Sequence, residues 1–69
     1  MTKEMEFFVF LIEQYARYKA TTADVILKKW DDNGITNEIY DNYEMYHQES
    51  LDNAFRDIDS LLSSGKHAW

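Results

Sequence analysis

Apolar and polar side chains over residues 3–20 recur on a helical repeat rather than an extended one. Phe7-Phe8-Val9-Phe10-Leu11-Ile12 alone is a short apolar run that suits a strand as well as a helix. No turn residue interrupts it, however, and Phe8, Leu11, Ile12, Tyr15 and Tyr18 continue the stripe at steps of three and four. Glu6, Glu13, Gln14 and Arg17 flank that stripe. The pattern predicts a first helix over 4–19. Phe7 and Phe10 lie off the main stripe and form either a second packing seam or a contact between two copies.

Thr21 is placed to cap a second helix, with Asp24 three residues on in the dipole-favoured first turn. That helix is expected over 22–32, burying Ala23, Ile26, Leu27 and Trp30. Lys28 and Lys29 sit near its carbonyl end, and Gly34 supplies the left-handed residue that stops it. A third helix starts at a Thr36 cap, with Ile35 stapled onto Tyr40. Ile39, Tyr43 and Tyr46 face inward, Tyr40 and His47 lie at the edge of that face, and Asn37, Asp41, Glu44 and Gln48 face water. A kink or turn is expected at 48–50, because Ser50 reads as a new cap. The last helix, over 51–63, has the clearest period. Leu51, Ala54, Phe55, Ile58, Leu61 and Leu62 lie on one side, and Asp52, Arg56, Asp59 and Ser60 on the other. The expectation is an all-α, compact bundle of three to four short helices over 1–64, with a flexible tail at 65–69. The first and last helices form the central pair, and the core is Phe8, Leu11, Ile12, Tyr15, Ile26, Trp30, Ile39, Tyr43, Phe55, Ile58 and Leu62.

Composition narrows how such a bundle holds together. A chain of 69 residues has one core and buries only about 60% of its unfolded surface. It has no cysteine, so neither disulfides nor thiolate metal sites contribute. The absence of proline and the presence of only two glycines argue against a turn-rich β fold. Four Phe, five Tyr and two Trp leave aromatic packing, or self-association, as the remaining aid. The opening Met1-Thr2-Lys3-Glu4 has no basic n-region, and the longest apolar run falls far short of the roughly 20 residues that span a bilayer. A cytoplasmic protein is the resulting expectation.

Charge narrows the partners. Residues 30–64 carry Asp31, Asp32, Glu38, Asp41, Glu44, Glu49, Asp52, Asp57 and Asp59 against Arg56 alone, nine acids to one base in a chain of net charge −6. Direct nucleic-acid binding and an anionic membrane both require the opposite sign. A basic protein surface would attract this half of the chain.

Candidate chemistry is sparse. A histidine can serve as base or ligand, and His47 pairs by spacing with Glu44, but no nucleophile is placed beside it, so a packed histidine is the better reading. Glu44, His47 and Glu49 make a poor metal set, since only the first two share a face. Asp31-Asp32-Asn33-Gly34 resembles the opening of a calcium loop, but Asn42 stands where the closing glutamate is needed. The ring ladder Tyr15, Tyr18, Tyr40, Tyr43, Tyr46 and Phe55 lacks the basic groove of a base-stacking platform. No catalytic, metal or cofactor residue is assigned, and the chain is not expected to be an enzyme. The remaining signal is the carboxylate face beside tyrosines, since aromatics with a charged rim make good anchors.

Gly34-Ile35 followed by Ile39-Tyr40-Asp41, then 43–47, then Asp57-Ile58-Asp59, in this order, is similar to a small bacterial family, the domain of unknown function three-seven-nine-one. The resemblance spans 6–62 and brings no catalytic residues with it. Members are often encoded beside a gene resembling an ADP-ribosyltransferase, which implies a toxin–antitoxin-like arrangement and a role in neutralising a partner. His67-Ala68-Trp69 is not part of the pattern. The expected function is a protein-binding module of antitoxin or immunity kind that masks a basic surface. Tyr40 and His47 would sit at the contact centre, with Asp41, Glu44, Asp52 and Asp59 steering. The alternatives are a phage-encoded inhibitor of a bacterial defence enzyme that imitates nucleic-acid charge, and a structural homodimer through Phe7 and Phe10, with Trp69.

Overall fold

The computed structural model describes all residues from Met1 to Trp69, and every regular element is an α-helix. In order these are α1 (Lys3–Tyr18), α2 (Ala23–Asp32), α3 (Thr36–Asp41), α4 (Tyr43–Gln48) and α5 (Leu51–Ser64). The all-α class matches the periodicity, but there are five helices where three to four were expected. The extra one comes from a break at Asn42. Its side-chain amide donates to the Glu38 carbonyl and to Glu38 Oε2, both at 2.8 Å, while its backbone sits at φ −93° and ψ 27°. A side chain that bonds a neighbouring carbonyl in this way offers the chain an alternative to a continuous helical ladder.

The helix ends follow local chemistry. Thr2 Oγ1 accepts the Met5 N–H at 3.1 Å at the start of α1, and Ser50 Oγ accepts the Asn53 N–H at 3.3 Å at the start of α5. α2 is capped by Thr22, one residue later than expected, and the Thr22 side chain holds the Asp24 carboxyl below its usual range. Two ends close in the same way. Thr21 N–H reaches back to the Ala16 carbonyl at 2.9 Å, and Ile35 N–H to the Trp30 carbonyl at 3.0 Å. Each closure turns on a residue with positive φ, Ala20 at 58° and Gly34 at 68°. The second closure carries Ile35 into the core. Ile35, not Thr36, is therefore the cap of α3, and the Thr36 hydroxyl donates to Asp31 instead.

α1 is the hub. Its backbone lies against α2, α3 and α4. The expectation that the first and last helices form the closest pair gives way to a different geometry, in which α5 meets α1 through long side chains. Phe55 stacks on Tyr18 at 4.8 Å and meets Tyr15 edge-on at 5.6 Å. Trp30, fully buried, lies at the centre between Phe8 at 5.9 Å and Tyr15 at 5.6 Å. Such ring pairs add about 0.5–1.5 kcal/mol each beyond the area they bury, which matters in so small a core. Around them pack Leu11, Ile12, Ile26, Ile39, Phe55 and Ile58, as expected, together with Ala16, Ile35, Tyr46, Ala54 and Leu61. Phe8, Tyr43 and Leu62 are only half-buried, and Leu27 is exposed. One charged residue is inside: Asp57, 1% exposed.

Candidate interaction site

The six residues expected at a single contact surface fall into two groups. Tyr40 is half-buried, edge-on to Phe8 at 5.8 Å. His47 is exposed rather than packed inside, stacked on Tyr43 at 4.3 Å, with its Nδ1 2.9 Å from the Tyr43 carbonyl. Asp41 and Glu44 are exposed, at the end of α3 and the start of α4. Asp52 and Asp59 belong elsewhere, lining a small hollow with Tyr18, Phe55 and Arg56. Phe7, beside His47, and Tyr18 are about 16 Å apart along the rise of α1, so the two groups do not make one patch.

The first group forms an aromatic surface. Phe7 lies 5.6 Å from Tyr43 and 6.3 Å from both His47 and Phe10, and Phe10 is 48% exposed. α1 presents the two phenylalanines because they sit off the stripe that faces α2. α4 adds Tyr43 and His47 because they are one helical turn apart. Glu44 projects from the same short helix.

The acids are less free than their number suggests. Asp59 Oδ1 accepts the Tyr15 hydroxyl at 2.5 Å and lies 3.1 Å from Lys19 Nζ. Burial, then the bond to Asp59 and its charge, push the Tyr15 phenol far above its usual range, so it stays a donor. Asp32 pairs with Lys28. Asp57 accepts from the Tyr46 hydroxyl, from Ala68 N–H at 2.5 Å, and from His67 Nδ1 at 2.7 Å. Burial, followed by the bond to Asp57, likewise raises the Tyr46 phenol. Glu38 lies 2.6 Å from His67 Nε2. Residues 65–69, expected to be a flexible tail, lie against the bundle through bonds to Glu38 of α3 and to Asp57 and Ser60 of α5, and through the ring contact of Trp69 with Tyr46 of α4. Among the acids expected at the contact, Asp41, Glu44 and Asp52 are exposed and make no ion pair.

Asp57 is one of the nine acids of residues 30–64, and the periodicity of the last helix assigns it to neither face. Its spacing held the missed signal: it stands three residues after Ala54 and four before Leu61, on the apolar stripe of α5. Nothing in spacing could place His67 opposite it. The largest groove, of about 570 Å³, is open and runs between α1, α2 and α5, with Lys19, Lys29 and Asp59 at its rim. No group of three or more His, Asp or Glu side chains is placed to hold a metal ion, and no helix is long and apolar enough to cross a membrane.

A family model described as "Protein of unknown function (DUF3791)" matches residues 6–64. The chain belongs to the DUF3791 family. No curated protein and no solved structure matches it. The DUF3791 match runs from the first turns of α1 to the end of α5 and contains the whole aromatic surface together with Glu38, Tyr46 and Asp57. His67, Ala68 and Trp69 lie beyond it.

Proposed function

We propose that the protein is a partner-binding module of antitoxin or immunity kind, and that the aromatic surface of α1 and α4 is what docks on a basic region of another protein. The observation that carries this reading is the group Phe7, Phe10, Tyr43 and His47, with Phe10 half in water and Glu44 exposed on the same short helix as Tyr43 and His47. Rings that are already packed lose little side-chain freedom on binding, and unpaired carboxylates around them speed encounter with a cationic surface. Tyr40 packs edge-on against Phe8, which lies on Trp30, so this reading does not put Tyr40 at the contact centre.

The test is kinetic. A partner captured from the host and purified should associate more slowly as salt rises, and Glu44→Gln should slow association about two- to tenfold with little change in dissociation. Phe10→Ser should act on dissociation instead. Binding that is flat in salt and indifferent to both variants removes the proposal. The same exposed Phe10 favours a second reading, a homodimer through Phe7 and Phe10. Light scattering across a concentration series separates the two, since only the dimer predicts a mass that doubles and returns to one chain in Phe10→Ser.

A further inference from the structure

The last residues of the sequence fold back across the junction of α3, α4 and α5. His67 lies between two carboxylates on different helices, with Nδ1 2.7 Å from Asp57 Oδ2 and Nε2 2.6 Å from Glu38 Oε2. Its own neighbours complete the contact. Ala68 N–H donates to Asp57 Oδ1, Trp69 meets Tyr46 edge-on at 5.6 Å and stacks on His67 at 4.4 Å, and Ser60 Oγ donates to the Lys66 carbonyl at 2.7 Å. Gly65, at φ 76°, turns the chain from α5 into this segment.

The arrangement has a protonation requirement. An ionised carboxylate only accepts hydrogen bonds, and a neutral imidazole has one N–H and one lone pair. A neutral His67 can serve one of its two carboxylates and must turn a lone pair toward the other. An imidazolium donates to both. The charged groups that touch it are Glu38 from α3 and Asp57 from α5, while Tyr46 from α4 is a neutral donor to Asp57, and Glu49 and Arg56, of opposite charge, line the hollow beside Ala68 and Trp69. Two carboxylates in direct contact favour the cation.

We propose that residues 66–69 form a proton-locked latch, closed over Glu38, Tyr46 and Asp57 while His67 carries its second proton and loosened when that proton leaves. Burial alone lowers the imidazole, but the bonds to Glu38 and Asp57 and their charges outweigh it, and the net displacement is upward from 6.5. The sign follows. A group raised in the closed state stabilises that state fully below 6.5, and the stabilisation disappears as pH rises through the raised value. On the acid side Glu38 is displaced downward from 4.5, first by its bond to His67 and then by Asn42, so its contribution is lost as pH falls through that depressed value.

The measurement is a pH titration of the full chain by NMR, following the His67 ring, the Ala68 amide and the Trp69 indole. All three should move together with a midpoint above 6.5. Glu38→Gln, at an exposed position that leaves the core intact, should lower that midpoint by about one pH unit. His67→Gln should remove the step from Ala68 and Trp69 altogether. The proposal is overturned if Ala68 and Trp69 stay unchanged while His67 titrates, or if His67 titrates at or below its ordinary value.

Discussion

Asp57 and Asp59 stand two residues apart on α5, and each accepts a tyrosine hydroxyl, but their surroundings give the two bonds different weight. Asp57 is sealed inside, and Tyr46 is one of three donors that compensate it. Asp59 is partly exposed and has Lys19 and water to turn to. Tyr46→Phe should therefore cost about 1–3 kcal/mol in urea unfolding, the penalty for leaving a buried acceptor short of a donor. Tyr15→Phe, which removes a hydroxyl from a carboxylate at the rim, should cost less than about 1 kcal/mol. Equal losses would mean that the two carboxylates are equally hydrated. At this scale the sequence was legible wherever one helix decided the matter: Leu11, Ile26, Trp30 and Ile58 are where the stripe put them. It was least legible for Asp57 and His67, whose partners lie ten or more residues away and belong to elements that no single-helix pattern relates.

Between residues and fold, the helix ends show how the same backbone conformation can favour or penalise a side chain. Ala20 and Gly34 occupy matching closing positions at similar positive φ. A side chain pays a steric penalty there that glycine avoids, about 1 kcal/mol. Ala20→Gly should raise stability by about that amount, and Gly34→Ala should lower it by a similar amount. At Gly34 the penalty is purely conformational, because a Cβ would meet nothing within 4 Å. Chemical denaturation of the two variants should give shifts of opposite sign. The break at Asn42 was invisible beforehand because Ile39, Tyr43 and Tyr46 keep helical spacing straight across it. Only the side-chain amide on Glu38 interrupts the ladder, and an asparagine at that position is compatible with an unbroken helix too. α5 has the clearest period, and its boundaries fall within one residue of expectation, but its place in the bundle differs, since periodicity reports which face is apolar and not which neighbour covers it.

For the molecule as a whole, the charges and the aromatic surface decide behaviour in solution. His67 and Glu38 are displaced in opposite directions by their mutual contact, so their contributions overlap most fully between 4.5 and 6.5. The urea midpoint of the full chain should be highest across that interval, falling on the alkaline side as His67 releases its proton and on the acid side as Glu38 gains one. In His67→Gln the alkaline decline should disappear. The sequence disclosed the helical class and the excess of acid, because both are sums over the chain. It could not disclose that Asp57 turns inward, that Asp59 is bound to Tyr15 and Lys19, or that Asp52 shares a hollow with Tyr18, because those are facts about how helices are stacked. The contact surface proposed here is accordingly smaller and more aromatic than charge alone implies.

The two tryptophans occupy opposite environments. Trp30 is sealed in the centre of the bundle, while Trp69 is 53% exposed and lies flat on the His67 ring. An indole in contact with a charged imidazole loses emission by electron transfer, and one in a dry core glows at shorter wavelengths. Fluorescence of the native chain should therefore brighten and shift to the red as the solution is made alkaline, from Trp69 alone, while Trp30 holds a steady blue background until the bundle itself comes apart. No dye or label is needed to read the two events separately.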